Sequence, residues 1–167
     1  TPIFHGELAA YKTELLRKIG GFPLDIGADD SHTAARIAAM GYRAVAAEDL
    51  WCVEAVPHNG YHKWRVRRAK HLLQHFLKTP AAEAPPPMRP IILAEKYIHL
   101  ANSWLLPAAA VALAAAATPH ALALLAAGAA ALALKPCRAW VAAQLYLMVA
   151  AVGNLRDKEL VWERQDK

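Results

Sequence analysis

Two adjacent carboxylates stand in the run Gly27-Ala28-Asp29-Asp30-Ser31-His32-Thr33-Ala34-Ala35-Arg36, at the start of a segment that reads as a helix. A helix N-terminus holds a carboxylate as an anion, through the helix dipole and through backbone N–H groups without intrahelical partners. Asp30 so placed can act as a general base, taking the proton of a hydroxyl as its oxygen attacks an electrophilic carbon. The position equally suits a helix cap with no chemistry, and the local residues leave both readings open. Arg36, six residues on, can pair with an acid or a phosphate, or simply lie exposed.

The second concentration of functional groups is basic. Arg65, Arg67 and Arg68 set three guanidiniums within about one helical turn, and such forks match phosphate oxygens. A solvated face is the plain alternative. With apolar runs close downstream, lipid headgroups or a diphosphate suit the arginines better than nucleic acid. Trp64 is the helix's lone tryptophan, and no interleaved aromatics are set to stack on bases. The pairs His58/His62 and His71/His75 have the i, i+4 spacing of helical zinc ligands. The H-E-x-x-H pattern is absent and His58 precedes the helix, which argues against a histidine metal site. The same residues hold no Gly-rich phosphate loop and no D-x-D pair.

These groups need elements to position them. A helix over 10–19, with Thr13 among its possible caps, stops at Gly20-Gly21, and Pro23 confirms the stop. The helix begun by the acidic pair runs to about Met40, with Ala34, Ile37 and Ala38 on its buried face, and Gly41 ends it. Residues 42–46 and 50–56 read as short strands by their β-branched and aromatic content. Residues 57–60 form a turn. A strongly amphipathic helix over 62–78 follows, with Val66, Ala69, Leu73 and Phe76 on one stripe. Five prolines in 79–90 imply a semi-rigid extended linker.

The 167 residues carry a formal net charge of +5, which suits an anionic partner. Most of the charge lies in 1–78; across 100–155 only Lys135 and Arg138 are charged. Two distant cysteines, Cys52 and Cys137, argue against a disulfide framework and a zinc knuckle. The first residues lack the pattern of a signal peptide, and Thr1 in place of Met suits a fragment or a processed product. Three apolar runs close the chain, near 91–117, 121–134 and 139–155, and imply two to three membrane spans. An alanine-rich soluble bundle would need a polar face, which these runs lack. Lys135 and Arg138 mark a cytoplasmic loop, which places 1–78 on the cytoplasmic face of a multi-pass membrane protein. The expected organisation is 1–78, a linker at 79–90, membrane-associated helices over 91–157 and a charged tail at 158–167.

In order, Phe4-His5-Gly6-Glu7-Leu8, the helix ending in Gly20-Gly21-Phe22-Pro23, Asp29-Asp30 with Thr33 and Arg36, Gly41-Tyr42-Arg43 and Glu54-x-x-Pro57 resemble the C-terminal half of a family 2 glycosyltransferase. These are inverting enzymes with a GT-A nucleotide-sugar-binding fold. Asp29 stands where the family's E-D-x-x-L-x-x-R has Glu, and Thr33 where it has Leu. The resemblance covers 4–78. It implies a mainly α chain with a few short β-strands, a partial α/β GT-A domain on the acceptor side, followed by the amphipathic helix and the membrane helices. It further implies Asp30 as catalytic base with Asp29 supporting the acceptor site. Arg65, Arg67, Arg68 and Arg36 would meet a diphosphate or a lipid phosphate. The donor would be a nucleotide sugar, the acceptor a lipid or glycan. A divalent cation, Mg or Mn, is implied, with ligands mostly in the donor-binding half outside this sequence, so that these residues alone would be inactive. The processive members' Q-x-x-R-W reads here as Arg65 to Ala69, with Arg68 kept and the Gln and Trp replaced, which favours single-sugar transfer. The alternative is a non-catalytic membrane adaptor whose basic helix binds anionic lipid.

Overall fold

The computed structural model describes residues 9–43, 45, 49, 51, 53, 56–57, 59–79 and 81–157. Helix α1 (Thr13–Lys18) is shorter than expected at its start, and Thr13 is its first residue rather than its cap. Its end follows from the glycine pair. Gly20 and Gly21 take φ of +82° and +87°, so Gly20 N–H bonds Arg17 O and Gly21 N–H bonds Leu16 O, at 3.1 and 2.8 Å. This pairing satisfies two of the last carbonyls, in a conformation that residues with a Cβ rarely adopt.

Helix α2 (Asp29–Ala39) starts on the acidic pair itself, without a side-chain cap. It stops at Met40 and at Gly41, whose φ is +88°. Its buried residues are Ser31, His32 and Thr33, while Ala34, Ile37 and Ala38 are half-buried. The inward face is therefore set by the turn nearest the loop, not by the apolar residues further along.

The expected strands are not found. Tyr42, Arg43 and Val45, and likewise Trp51, Val53 and Val56, have no strand structure. The rest of 42–46 and 50–56, and the strand and turn expected near 4–8, lie outside the described residues. Among the described residues there is no strand at all, which overturns the expectation of an α/β GT-A-type domain with a few short strands. A strand needs a neighbour to take its N–H and C=O groups, and a single short pair is marginal in water. No described segment offers that neighbour, so β propensity over a few residues goes unused.

Helix α3 (Tyr61–Lys78) leaves from Gly60, at φ +76°. Ala69 and Leu73 on α3 form a core with Leu147 and Ala150 of a later helix, α7 (Lys135–Arg156), with Val66, Leu100, Tyr146 and Ala151 packed around them. Burial of a leucine such as Leu73 contributes roughly 1.5–3 kcal/mol. His62 Nδ1 and Tyr146 Oη share a hydrogen bond of 2.5 Å between the same two helices.

The proline-rich segment is not one extended run. Ala81–Glu83 and Pro86–Met88 each form a 3₁₀ turn. The fixed φ of proline serves a helical first turn as well as an extended chain. From there a continuous helical rod of 31 residues, Pro86–Ala116, comprises α4 (Arg89–Lys96), a π-helical turn (Tyr97–Ala101) and α5 (Asn102–Ala116), which contains Pro107. Its most apolar stretch has a mean hydropathy of 1.5 and is 6% buried within the chain, so its apolar side chains face outward. By length and composition it can cross a membrane. Helix α6 (Pro119–Ala131) and α7 meet that test only as a pair, and they are bent by 101°. The described helices thus supply one candidate span, or two if the bent pair counts as one.

Candidate active site

The acidic pair is held from behind. Ile26, Gly27 and Ala28, the residues that lead into it, are buried. Gly27 lies against the imidazole of His71 on α3, where a Cβ would be 2.8 Å from Cε1 and nearer still to Cδ2 and Nε2. Its N–H donates to Gln74 Oε1 at 2.9 Å. Gln74 Nε2 donates to Asn154 Oδ1 at 2.9 Å, and Asn154 Nδ2 donates to the Lys70 carbonyl at 3.0 Å. The loop, α3 and α7 are joined by three successive hydrogen bonds.

In front of this seat the carboxylates are half-buried in the first turn of α2. Asp30 Oδ1 accepts from the Ser31 N–H at 2.6 Å, and Tyr11 Oη donates to the Asp30 carbonyl oxygen at 3.1 Å. Tyr11 also meets the edge of Phe22, with ring centroids 5.5 Å apart. Burial, then the negative charge of Asp30 and of Asp29, pushes the Tyr11 phenol up to about 12. Tyr11 is therefore neutral and donates its proton in hydrogen bonding throughout the physiological range. An anionic carboxylate at a helix N-terminus, steadied through its backbone and its own side chain, is suited to accept a proton.

The arginines part company. Arg67 is 4% exposed, and it shares one stripe of α3 with His71 and Gln74, at i, i+4 and i+7, the stripe that meets the Gly27 loop. Arg65 lies over the Tyr146 ring, 5.5 Å to its centroid, and Arg68 over Trp64, at 5.0 Å. Both are half-buried on faces other than that of Arg67. Arg36 is exposed near the end of α2, about 9 Å along the axis from Asp30 and on another face.

Arg36 instead lines a cavity of about 240 Å³ between α2, the end of α3, the proline-rich turns and α4. His32, Lys78, Thr79 and Glu83 bring polar groups to it, with Phe76 and Ile92 among its apolar lining. Thr79 Oγ1 lies 3.5 Å from His32 Nδ1 and 3.3 Å from His75 Nδ1. Burial, then the cations Lys78 and Arg36, holds His32 below the usual imidazole range, against a smaller opposite pull from Asp25. Lys78 is itself ion-paired with Asp25, whose carboxyl that contact holds low.

Neither Asp29 nor Asp30 lines this cavity, so the expected site residues are not brought together in one place. The acidic pair follows the Gly27 loop, Arg67 shares the α3 stripe of His71 and Gln74, Arg65 and Arg68 lie over aromatic rings, and Arg36 lines the cavity. Sequence reasoning passed over Tyr11, Gln74 and Asn154, and weighed His71 only as half of a zinc pair. A signal existed for Asn154, an amide at the end of a long apolar run. No group of three or more His, Cys, Asp or Glu side chains able to hold a metal occurs among the described residues, so these residues do not by themselves fit a divalent cation.

The chain is similar, at 62% identity and a TM-score of 0.85, to the mannosyltransferase PcManGT from Pyrobaculum calidifontis, solved in complex with GDP-Man and Mn2+. The match covers 95% of this chain and 47% of that one, so the chain spans about half the length of that enzyme. No family model and no curated protein matches the chain.

Proposed function

We propose that this chain is the acceptor-side and membrane part of a glycosyltransferase of the family 2 type, which moves a sugar from a nucleotide-sugar donor, GDP-mannose or a close analogue, to a lipid or glycan acceptor with inversion. One observation carries the reading: the acidic pair at the head of α2 is fixed by its backbone to α3 in a chain 62% identical to a GDP-mannose-bound mannosyltransferase. Asp30 takes the acceptor hydroxyl proton as the oxygen attacks the anomeric carbon from the side opposite the departing diphosphate. Asp29 supports the acceptor. Arg65, Arg68 and Arg36, which keep exposed surface, are the arginines to meet a diphosphate or lipid phosphate, while Arg67 is buried. A divalent cation, Mg or Mn, belongs to the same proposal, with its ligands mostly outside residues 1–167.

The membrane assignment rests on the Pro86–Ala116 rod, whose apolar surface is not covered by the rest of the chain. We assign 1–78 to the acceptor side on the cytoplasmic face, 79–90 to the joint, 91–157 to the membrane part and 158–167 to a charged tail. The cavity beside α4, with Arg36 and Lys78 as cations and Phe76 and Ile92 among its apolar lining, suits a phosphate-bearing amphipathic ligand; were such a phosphate the acceptor, its oxygen would already be ionised and Asp30 would position rather than deprotonate. The adaptor alternative is disfavoured by the likeness to a mannosyltransferase and by the hydrogen-bonded seat behind the acidic pair, for which lipid binding gives no reason.

The test is Asp30→Asn in the full-length protein, assayed with GDP-mannose and an acceptor that reacts through a hydroxyl. Turnover is expected to fall about 10²–10⁴-fold with donor binding intact. Undiminished turnover would overturn the general-base role.

A further inference from the structure

The three hydrogen bonds behind the acidic pair carry more than anchorage. We propose that Gln74 is a positioning residue, which makes the placement of Asp29-Asp30 depend on the seating of helix α7. The proposal rests on the reading of Asp30 as the base.

Both ends of the chain of bonds fix its direction. The Gly27 N–H can only donate, so the amide atom of Gln74 that faces it is oxygen, at 2.9 Å. The Gln74 nitrogen then faces Asn154, which must present its own oxygen, at 2.9 Å. The Asn154 nitrogen is left to face the Lys70 carbonyl, which can only accept, at 3.0 Å. Two primary amides are thus each used as acceptor on one side and donor on the other. No carboxylate or apolar side chain reproduces that at position 74. Gln74 is buried, so water does not readily replace a lost partner.

The surroundings are shaped for the same contact. Gly153 precedes Asn154, and a Cβ there would be 2.7 Å from Lys70 Cε. On the other side Gly27, without a Cβ, lets the loop rest on His71. Helix α7 packs on α3 along its length and also contacts α5 in the apolar rod. A shift of α7 therefore pulls on Gln74, and through it on the residue two before Asp29.

The test uses the full-length protein in lipid nanodiscs, with hydrogen exchange at the Gly27 amide and turnover of GDP-mannose as separate readouts. In Gln74→Leu the Gly27 amide is expected to exchange about tenfold faster. Turnover is expected to fall about 10–100-fold at unchanged KM for donor. In an Asp30→Asn background the same substitution should cost nothing further, since it acts through Asp30. Gln74→Glu, which keeps the acceptor for Gly27 but loses the donor to Asn154, should retain Gly27 protection while losing the dependence on Asn154. It also serves if Gln74→Leu does not fold. Wild-type exchange at Gly27 in Gln74→Leu, or in Gln74→Glu the same sensitivity of Gly27 to Asn154→Leu as in wild type, overturns the tether. A turnover loss that multiplies with that of Asp30→Asn overturns positioning through Asp30. If Asp30→Asn alone leaves turnover untouched, the general-base reading fails instead, and the exchange result still decides the tether.

Discussion

Gly27→Ala is the sharpest single perturbation of the seat. The new Cβ would stand 2.8 Å from His71 Cε1 and closer to two other ring atoms, so loop and ring must separate by roughly 1 Å to regain ordinary contact. His71 is 5% exposed, which leaves the ring little room to swing away. Overpacking of this kind typically costs about 1–3 kcal/mol. For a chain of this size each kcal/mol lowers the melting temperature by about 2–4 °C. The loop's retreat also carries Asp30 out of line, and a misplacement near 1 Å can lower turnover by about 10²-fold. Thermal unfolding and steady-state turnover, measured on Gly27→Ala, His71→Ala and the double variant, separate these effects. Removal of the ring should restore much of the stability lost in Gly27→Ala, a coupling expected only between residues in contact. A Gly27→Ala protein as stable and as active as wild type would refute the reasoning, and so would a double variant whose losses simply add.

Two further expectations concern stability. His32 titrates below its ordinary 6.5 in the folded chain, so on acidification the unfolded chain takes up that proton first. Stability is therefore full above pH 6.5 and declines as the pH drops below it towards the lowered native value; His32→Gln should flatten the melting temperature across that window, and an unchanged slope would contradict the assignment. Ala117, at the end of α5, sits at φ +48°. Ala117→Gly should relieve left-handed strain and raise stability by about 0.5–1 kcal/mol after the entropy of the unfolded glycine is counted, and a fall in melting temperature would count against it.

Local chemistry was legible where one or two residues decide it. Gly20-Gly21 and Gly41 end their helices as expected, because no residue with a side chain takes their backbone angles cheaply. The start of α2 at the acidic pair was legible for a similar reason. The apolar stripe Ala69, Leu73 and Phe76 is buried as its spacing implied. What escaped was the second partner of α3. The helix lies between α7 and the Gly27 loop, so it buries a second stripe of Arg67, His71 and Gln74, which on sequence alone reads as a polar face. Likewise the β-branched residues of 42–46 and 50–56 were weighed by composition, whereas a strand exists only through its neighbour. Tyr11 and Asp30 meet across 19 positions, a contact with no periodic trace.

The π-helical turn Tyr97–Ala101 has a consequence for the rod that contains it. Such a turn accommodates one residue more than an α-helical turn, and each residue is worth about 100° of rotation. The rod is therefore two helices in different phase on a common axis. The upstream phase sets Ile92 in the cavity, and His99, within the turn itself, lies flat on Phe76, at 5.0 Å between ring centroids. The downstream phase buries Ser103 and turns Val111 outward. Deletion of one residue from that turn would leave every helical hydrogen bond free to re-form, yet it would swing the cavity's wall away from its floor. The extra residue acts as a phase shifter, through which one continuous rod can meet the cavity at one end and apolar surroundings at the other.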